Sequence, residues 1–453
     1  VLDTCTEHTA KLCQIPGGRG GKFKLPTLTE LHQYLFGVPF GEAHNATADV
    51  EATTRCFLEL IRKQQYTTEQ LDVQPDYFKN FSEANPKEIE LIGLKHINLK
   101  KASKKISDAL WAKDTGGVSK EEIKENIKTL EDATFAHLHN HSQFSVLQST
   151  ISVKDLVKAA GDAEMPAVAI TDHANMMGAF HFVKEIGAYN KSVQAKNAEA
   201  IEKGEEPTAK EVKPIIGCEF FVCEEHTNKS VKDYGYQIVL LAKNKKGYHN
   251  LAKMSSIAYT NGFYYVPRID KKVIQQYKED IIVLTGNLYG EVPGKVLNVG
   301  EHQAEEALIW WKQEFGDDLY MELMRHGQED EERVNKVLLE FAKKHEVKLV
   351  ATNNTYYCAK EDADAHDVLL CVKDGEKQAT PIGRGRGYRY GLPNQEYYFK
   401  SQNEMKELFK DLPDAILNVS EILEKIEPYE LARDVLLPVF DIPEEYKDPE
   451  DAK

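Results

Sequence analysis

The chain has no long apolar run and no secretion signal. Its longest apolar stretches fall well short of the roughly 18 residues that a membrane-spanning helix needs. The first residues, Val1-Leu2-Asp3-Thr4, have neither a basic start nor an apolar core, so they do not form a signal peptide. They also lack an initiator methionine, which predicts a piece of a longer protein. These absences argue against a membrane protein.

Cysteine pairs and positive charge are scarce as well. The seven cysteines are scattered and no Cys-x-x-Cys pair occurs, which argues against a zinc ribbon and fits a reducing compartment, the cytoplasm. Asp and Glu outnumber Lys and Arg by 73 to 57, for a net charge of −16. Because broad binding to duplex DNA depends on neutralising phosphates, such a chain is a poor candidate for coating DNA over a wide surface. A local basic strip stays compatible with this composition.

The sequence divides into three regions that differ in composition and residue pattern. Residues 1–63 are predicted to be compact and helical, and residues 64–132 to form a polar tether with a helix near 119–130. From residue 133 onward, strand patterns alternate with amphipathic helix patterns, which predicts a parallel β/α architecture, either a barrel or an open sheet. The predicted strands are 134–140, 166–171, 214–223, 236–242, 281–285, 319–324 and 347–352. The predicted helices are 152–163, 178–190, 246–259, 303–315 and 328–345, and residues 191–213 form an exposed, partly helical insertion.

The strongest chemical signal is a set of three alternating histidines, His137, His139 and His141. Because side chains alternate along a strand, the three imidazoles are predicted to project from one face. Such a face would be an unusual way to build a core. Histidine is the commonest ligand for divalent transition metals, so the pattern indicates a metal site.

Three further motifs place polar residues where predicted strands end. Asp172 and His173 follow Ala169-Ile170-Thr171, Glu219 closes Ile215-Ile216-Gly217-Cys218, and His326 follows the strand that starts near Tyr320. The C-terminal ends of the strands of a β/α barrel meet on the face that carries the active site. A lone histidine after a strand is more often structural, but four motifs at equivalent positions indicate a site.

These residues resemble the PHP (polymerase and histidinol phosphatase) domain, in the version that opens the alpha subunit of bacterial DNA polymerase III. Further stretches resemble the same version of the domain: Gln143-Phe144-Ser145 and residues 166–173, 240–243, 262–264, 267–270, 361–366 and 396–400. The resemblance runs from about residue 134 to 440. It implies an α/β fold, a distorted seven-stranded β/α barrel. It also implies a PHP domain at 133–440 and the start of a linker to a polymerase region at 441–453.

Metal-competent members of this family have a nine-ligand site that usually holds three metals. The resemblance implies that five ligand types are retained, at His139, His141, His173, Glu219 and His326. Four positions depart, with Gln148 and Asn354 in place of aspartates and Gln237 and Tyr356 in place of histidines.

These departures bear directly on activity. Hydrolysis at such a site needs anionic ligands that hold metals close together, and only one carboxylate ligand, Glu219, remains. We therefore predict a catalytically inactive domain whose surviving histidines could still hold one Zn²⁺ or Mn²⁺. The alternative is an active metal-dependent phosphoesterase or 3′–5′ exonuclease.

Ahead of this domain, residues 41–49 (GEAHNATAD) resemble the last motif of DEDDh-type 3′–5′ exonucleases. The resemblance implies that His44 is the general base and that Asp49 is a ligand of a two-Mg²⁺ site. His-x4-Asp is common by chance, but residues 1–4 and the helix at 28–35 also resemble the stretch before this motif. The other acidic ligands would lie before residue 1. Residues 1–63 are thus predicted to be the C-terminal part of an exonuclease domain, inactive alone.

Together the resemblances imply the N-terminal portion of a replicative DNA-directed DNA polymerase with a fused proofreading exonuclease. The parent enzyme would use DNA, dNTPs and Mg²⁺ in the cytoplasm, with replisome subunits such as the sliding clamp and clamp loader as partners. A free-standing small-molecule phosphatase is a third hypothesis, and the polymerase-specific stretches argue against it.

Two basic segments are left open by the sequence. Lysines between 87 and 105 fit a solvated face better than a nucleic-acid contact. Residues 384–390 mix Arg384, Arg386 and Arg389 with Tyr388 and Tyr390. That mixture fits either a contact to a DNA backbone or a simple hairpin loop.

Overall fold

The computed structural model describes residues 5–17, 22–40, 46–91, 119–383 and 385–432. The chain falls into two compact units divided after residue 117. Within the described ranges, no helix has both the length and the apolar character needed to cross a bilayer. His44, most of the lysines between 87 and 105, and the predicted linker at 441–453 lie outside these ranges.

The first unit is helical. Its helices are α1 (Glu7–Cys13), α2 (Leu28–Phe36), α3 (Ala46–Arg62), α4 (Thr68–Leu71) and α5 (Tyr77–Ala84). Helix α2 begins at a capping box, in which Thr27 Oγ1 accepts from Glu30 N and the Glu30 carboxylate accepts from Thr27 N. It ends at Gly37, whose φ of 76° suits glycine. Helices α2 and α3 pack through Leu31, Leu35, Cys56 and Leu60.

The segment after α3 folds back onto that helix. Arg55 Nε donates to the Ile89 carbonyl at 2.7 Å, and Ile89 N donates to Glu59 Oε2 at 3.0 Å. Glu59 is fully buried and also accepts from Arg62 at 2.5 Å and 2.9 Å. The first part of the predicted tether therefore contacts the front helices as far as residue 89. The domain boundaries themselves stay predictions.

The second unit holds a seven-stranded sheet and its covering helices. The strands are β1 (Ala167–Ile170), β2 (Lys213–Cys223), β3 (Tyr236–Ala242), β4 (Arg268–Asp270), β5 (Ile281–Leu284), β6 (Leu319–Leu323) and β7 (Lys348–Ala351). The helices are α6 (Lys120–Glu131), α7 (Val153–Asp162), α8 (Ala179–Glu202), α9 (Lys245–Thr260), α10 (Lys271–Tyr277), α11 (Glu291–Asn298), α12 (Glu301–Phe315), α13 (Glu329–His345), α14 (Ala363–Asp374), α15 (Gln402–Leu408) and α16 (Pro413–Lys425). The predicted α/β class with a curled seven-stranded sheet is confirmed.

The sheet order is β1-β2-β3-β5-β6-β7, with β4 paired to β2. Most neighbours are parallel, but β3 runs antiparallel to both β2 and β5. The expectation of an all-parallel sheet is therefore wrong for β3. Only a loop, and no crossover helix, separates β2 from β3, and such a connection suits antiparallel neighbours.

The predicted first strand, 134–140, is not a regular strand. Nevertheless, its backbone fills a strand position at the edge of the sheet. Ala169 N and Thr171 N donate to the carbonyls of His137 and Asn140, each at 2.9 Å. On its other side, His141 N donates to the Thr355 carbonyl at 2.9 Å, just beyond β7. This segment therefore links β1 to the residues after β7 and brings the two sheet ends together.

Helix α8 is longer than predicted, because it continues through 190 to Glu202. The remainder of the insertion folds back along it. Asn190 bonds the backbone of Val212 with both its side-chain oxygen and its nitrogen, at 2.9 Å each. Asn197 bonds Ala209 in the same way, at 3.2 Å and 2.9 Å. These paired amide contacts fix residues 203–212 against the helix.

Candidate metal site

Three predicted ligands meet in one buried cluster. His139 and His141 come from the segment that joins the sheet ends, and Glu219 comes from the middle of β2. All three side chains are fully buried, and one ligand atom from each lies within 4.8 Å of the others. His173 follows β1, where Ala174 N donates to the Glu219 carbonyl at 2.7 Å. Four of the predicted residues, His139, His141, His173 and Glu219, therefore lie together, although Glu219 lies within β2 and not at its end.

Glu219 is the centre of the cluster. Its Oε2 lies 3.0 Å from His141 Nε2 and 2.6 Å from His173 Nδ1. Its Oε1 lies 3.4 Å from His139 Nε2 and accepts from Asn287 Nδ2 at 3.2 Å. Three imidazoles thus surround one carboxylate. A divalent cation bound by these groups would hold them together.

Two of the imidazoles also contact an oxygen atom through their second ring nitrogen, Nδ1. His139 Nδ1 lies 2.7 Å from Glu322 Oε1, which also accepts from Thr352 Oγ1 at 2.6 Å. His141 Nδ1 lies 3.3 Å from the Thr355 carbonyl. Metal-ligating histidines commonly donate their second nitrogen to such a partner, which leaves Nε2 for the metal. His139 Nε2 has no hydrogen-bond partner, consistent with this arrangement.

Glu322 is not among the ligands predicted from the sequence. It lies in β6, within the buried run Leu319–Leu323, and is itself almost fully buried. The sequence signal for Glu322 is a lone carboxylate inside an apolar strand. Such a residue is expected to have a polar partner, because a buried charge is retained only where it has partners. Glu219 is the one carboxylate among the predicted ligand positions, and Glu322 is a second carboxylate that contacts His139 from behind.

The local charges explain how the cluster is held. Burial opposes protonation of His139, but the Glu322 and Glu219 carboxylates outweigh it and raise its pKa to about 10. Burial, together with the charge of His173, lowers the pKa of His141 to about 3. Burial alone would raise the pKa of Glu219, yet the surrounding histidines hold it well below its usual range. The cluster therefore contains an ionised carboxylate.

His326 is held apart from this cluster by its own carboxylate. Its Nδ1 lies 2.6 Å from Glu331 Oε1, and its backbone N donates to Glu331 Oε2 at 2.6 Å. Its ring stacks on Tyr397 at 4.0 Å, and its Nε2 lies 3.2 Å from the Asn353 carbonyl. His326 thus lies on the wall of the adjacent cavity, outside the cluster, and its assignment as a ligand stays a prediction.

That cavity has a volume of about 170 Å³ and brings the four departing positions together. His173 and His326 line it with Gln148, Gln237, Asn354 and Tyr356. Gln237 Oε1 accepts from Asn287 Nδ2 at 2.9 Å. The Tyr356 ring stacks on His141 at 4.3 Å, and burial raises the pKa of its phenol well above the ordinary value. Tyr356 is therefore a neutral group and not an anionic ligand.

His137 does not belong to the cluster. Its Nε2 lies 2.7 Å from the Lys400 carbonyl, and its ring packs against Phe399 at 4.4 Å. Burial lowers its pKa to about 4, which keeps the imidazole neutral. The prediction of three histidines on one face is wrong for this residue, because the segment lacks the regular alternation of a strand.

The donor set fits one metal ion. Two imidazoles and a carboxylate form a known three-ligand zinc set that leaves a fourth position open. The cavity beside them offers two glutamines, an asparagine and a neutral phenol, which do not compensate the charge of further dications. The residues present therefore suit a single ion at His139, His141 and Glu219.

The role of Glu322 gives a first prediction. Glu322→Gln should weaken Zn²⁺ binding about 10- to 100-fold, because the amide no longer orients and polarises His139. Isothermal titration of metal-stripped protein measures this change. The matched control is Glu331→Gln, which alters the carboxylate behind His326, outside the three-residue cluster, and should leave affinity within about threefold of wild type. Equal losses in the two variants would contradict the assignment.

The proposed exonuclease pair lies in the other unit. Asp49 is in the first turn of α3, and His44 falls outside the described residues. The assignment of His44 and Asp49 as an exonuclease pair therefore stays a prediction.

Comparison with known proteins agrees with the geometry. Residues 137–326 match the family model of the PHP domain. The chain is 37% identical over 319 residues to DNA polymerase III subunit alpha of Borreliella burgdorferi. This similar region covers 69% of this chain and 25% of that protein. The same subunit of Treponema pallidum is 34% identical, covering 70% and 25%, and that of Thermus aquaticus 36%, covering 62% and 21%.

The solved structures add less. An amidohydrolase from Chromobacterium violaceum is 11% identical and covers 49% of this chain and 88% of its own, with a TM-score of 0.31, too low to carry an argument. The chain spans about a quarter of the length of the curated relatives named above. Residues 137–326 are thus similar to the PHP domain, and some two thirds of the chain are similar to the alpha subunits of DNA polymerase III.

Proposed function

We propose that the chain is the N-terminal portion of a replicative DNA polymerase of the DNA polymerase III alpha type, and that its PHP domain is a non-catalytic scaffold. The parent enzyme would extend DNA from dNTPs with Mg²⁺ in the cytoplasm. Replisome subunits such as the sliding clamp and clamp loader would be its partners. The support is the similarity to alpha subunits over 319 residues, at 37% identity.

One observation carries the scaffold role. All four positions that depart from the family ligand pattern, Gln148, Gln237, Asn354 and Tyr356, line one cavity beside the histidine cluster. Activation of water between two metals needs ligands that neutralise and bridge the cations. Neutral amides and a stacked phenol do not supply that charge. The domain would therefore bind at most one ion, at His139, His141 and Glu219, and turn over no substrate.

The nuclease assay and the metal count test this proposal together. We expect the chain to release no nucleotides from a 3′-labelled single strand in Mn²⁺, and to bind no more than one equivalent of Zn²⁺ or Mn²⁺. His139→Ala serves as the background control. Turnover that disappears in His139→Ala, or two or more bound metals per chain, would instead favour an active phosphoesterase or 3′–5′ exonuclease.

We also propose that residues 1–63 are the C-terminal part of a DEDDh proofreading exonuclease. Its support is the resemblance around His44 and Asp49, together with the place of Asp49 in the first turn of a well-packed helix, α3. A general base and one metal ligand do not complete such a site. These residues would thus be inactive by themselves.

A further inference from the structure

One segment of this acidic chain carries only positive charge. Residues 377–395 contain Lys377 and the arginines 384, 386 and 389, but no aspartate or glutamate. The part of this segment at 381–391, which we call the cationic loop, also has two exposed tyrosines, Tyr388 and Tyr390.

The base of the cationic loop is rigid. Arg389 is buried, and its two terminal nitrogens donate to the two carboxylate oxygens of Asp367 at 2.6 Å and 2.7 Å. Its Nε donates to the Thr380 carbonyl at 2.8 Å. The base is closed where Gly383 N donates to the Arg389 carbonyl and Arg389 N donates to the Pro381 carbonyl, both at 3.0 Å. This is a parallel bridge between Ile382 and Arg389, so the segment is a closed loop and not an antiparallel β-hairpin. The guanidinium of Arg389 is therefore occupied by contacts within the protein.

The tip presents unused groups. Arg386 is exposed between Gly385 and Gly387, whose φ values of 97° and 88° favour glycine. Within the described part of the chain, no ion pair involves Arg386. The Tyr388 ring rests on Gly383, where an added Cβ would lie 2.5 Å from the ring, and 52% of Tyr388 is exposed. A fixed aromatic face and a free guanidinium therefore lie two residues apart.

The cationic loop also borders the cavity of the PHP site. Tyr390, Gly391 and Leu392 line that cavity together with His173 and His326. We propose that the cationic loop binds single-stranded nucleic acid, with Arg386 on a phosphate and Tyr388 stacked on a base.

The chemistry favours a single strand over the other polyanions. Stacking on Tyr388 requires an unpaired base, and aromatic faces beside arginines are the usual platform for single strands. The patch is small and the chain carries a charge of −16, so it does not provide the wide phosphate contact that a duplex needs. An acidic peptide would use Arg386 but gain nothing from the tyrosine face. This inference stands apart from the scaffold role, which concerns the metal ligands alone.

Fluorescence anisotropy with labelled dT20 tests the cationic loop. Arg386→Ala should weaken binding about 3- to 10-fold and reduce the slope of log K against log[salt] by about 0.7, the loss of one phosphate contact. Tyr388→Ala should weaken binding about 5-fold or more, since stacking contributes about 1–3 kcal/mol per base. The matched controls are Lys191→Ala, an exposed cation on α8, and Tyr259→Ala, an exposed tyrosine on α9, which should bind as wild type.

Three outcomes would overturn the proposal. The first is no measurable binding of dT20 at low salt. The second is binding that Arg386→Ala and Tyr388→Ala leave unchanged. The third is displacement of dT20 by polyglutamate of equal charge as efficiently as by unlabelled dT20, with no effect of Tyr388→Ala, which would assign the cationic loop to an acidic protein segment. Photocrosslinking of a 5-iodouracil strand to the peptide that contains Tyr388 would place the ligand directly.

Discussion

Glu219→Gln should abolish binding of a divalent ion by this chain. Glu219 is fully buried and supplies the only carboxylate among the clustered ligand atoms, so the amide removes the single negative charge that compensates the metal. The two remaining imidazoles, His139 and His141, form too small a donor set to hold Zn²⁺ tightly. We expect a loss of at least 1,000-fold in affinity, measured by isothermal titration of metal-stripped protein and by elemental analysis after dialysis.

The same substitution should destabilise the metal-free protein. Removing one member of a buried charged cluster leaves its partners uncompensated, which costs about 3–5 kcal/mol. The matched control is Glu164→Gln, which removes an exposed carboxylate that pairs with Lys210 at 3.1 Å and should change the free energy of unfolding by less than about 1 kcal/mol. Zn²⁺ affinity within tenfold of wild type in Glu219→Gln would show that the ion binds elsewhere.

The sequence predicted the ligand cluster because the signal was local. His139, His141 and His173 each stand next to an apolar run and Glu219 stands inside one, which marks them as buried polar groups at neighbouring positions of the sheet. Glu322 could not be assigned in this way. The pattern in β6 shows that it is buried, but which side chain it meets depends on how β6 lies against the segment at 134–141.

The fold shows the same division between local and long-range information. Helices such as α7 and α13 were predicted within a few residues, because their apolar periodicity and caps are encoded along the chain. The direction of β3 and the three-residue strand β4 depend instead on pairing with distant residues. The irregular backbone at 134–141 has the same cause, and it explains why His137 faces away from the cluster.

The second large effect concerns the connection from β2 to β3. Arg268, in β4, is fully buried and donates to four backbone carbonyls. Its Nε reaches Gly262 at 3.1 Å and its Nη1 reaches Asp233 at 2.7 Å. Its Nη2 reaches Asn228 at 3.0 Å and His226 at 3.3 Å. One guanidinium therefore holds the loop between β2 and β3, and this loop allows β3 to run antiparallel.

Arg268→Met should lower the free energy of unfolding of the second unit by about 3–5 kcal/mol. Methionine fills much of the volume but leaves the buried Gly262 carbonyl without its donor, together with the part-buried carbonyls of His226, Asn228 and Asp233. An unsatisfied buried acceptor costs about 1–3 kcal/mol before relaxation. Arg268→Lys should destabilise the unit less than Arg268→Met does but more than no change. A single ammonium keeps some donors, but it cannot reach four acceptors as the planar guanidinium does. Urea unfolding followed by tryptophan fluorescence reports on this unit, since Trp310 and the buried Trp311 lie in it.

Arg325→Met provides the matched control for that experiment. Arg325 also makes a two-pronged contact, with Asp411 at 2.5 Å and 2.8 Å, but its side chain is 26% exposed and that of Asp411 40%. Because water can replace the lost donors there, the expected change is about 1 kcal/mol or less. Equal destabilisation by Arg268→Met and Arg325→Met would mean that the loop holds its shape without the buried guanidinium. A difference of about 2 kcal/mol or more between them would show that this arginine fixes the loop between β2 and β3.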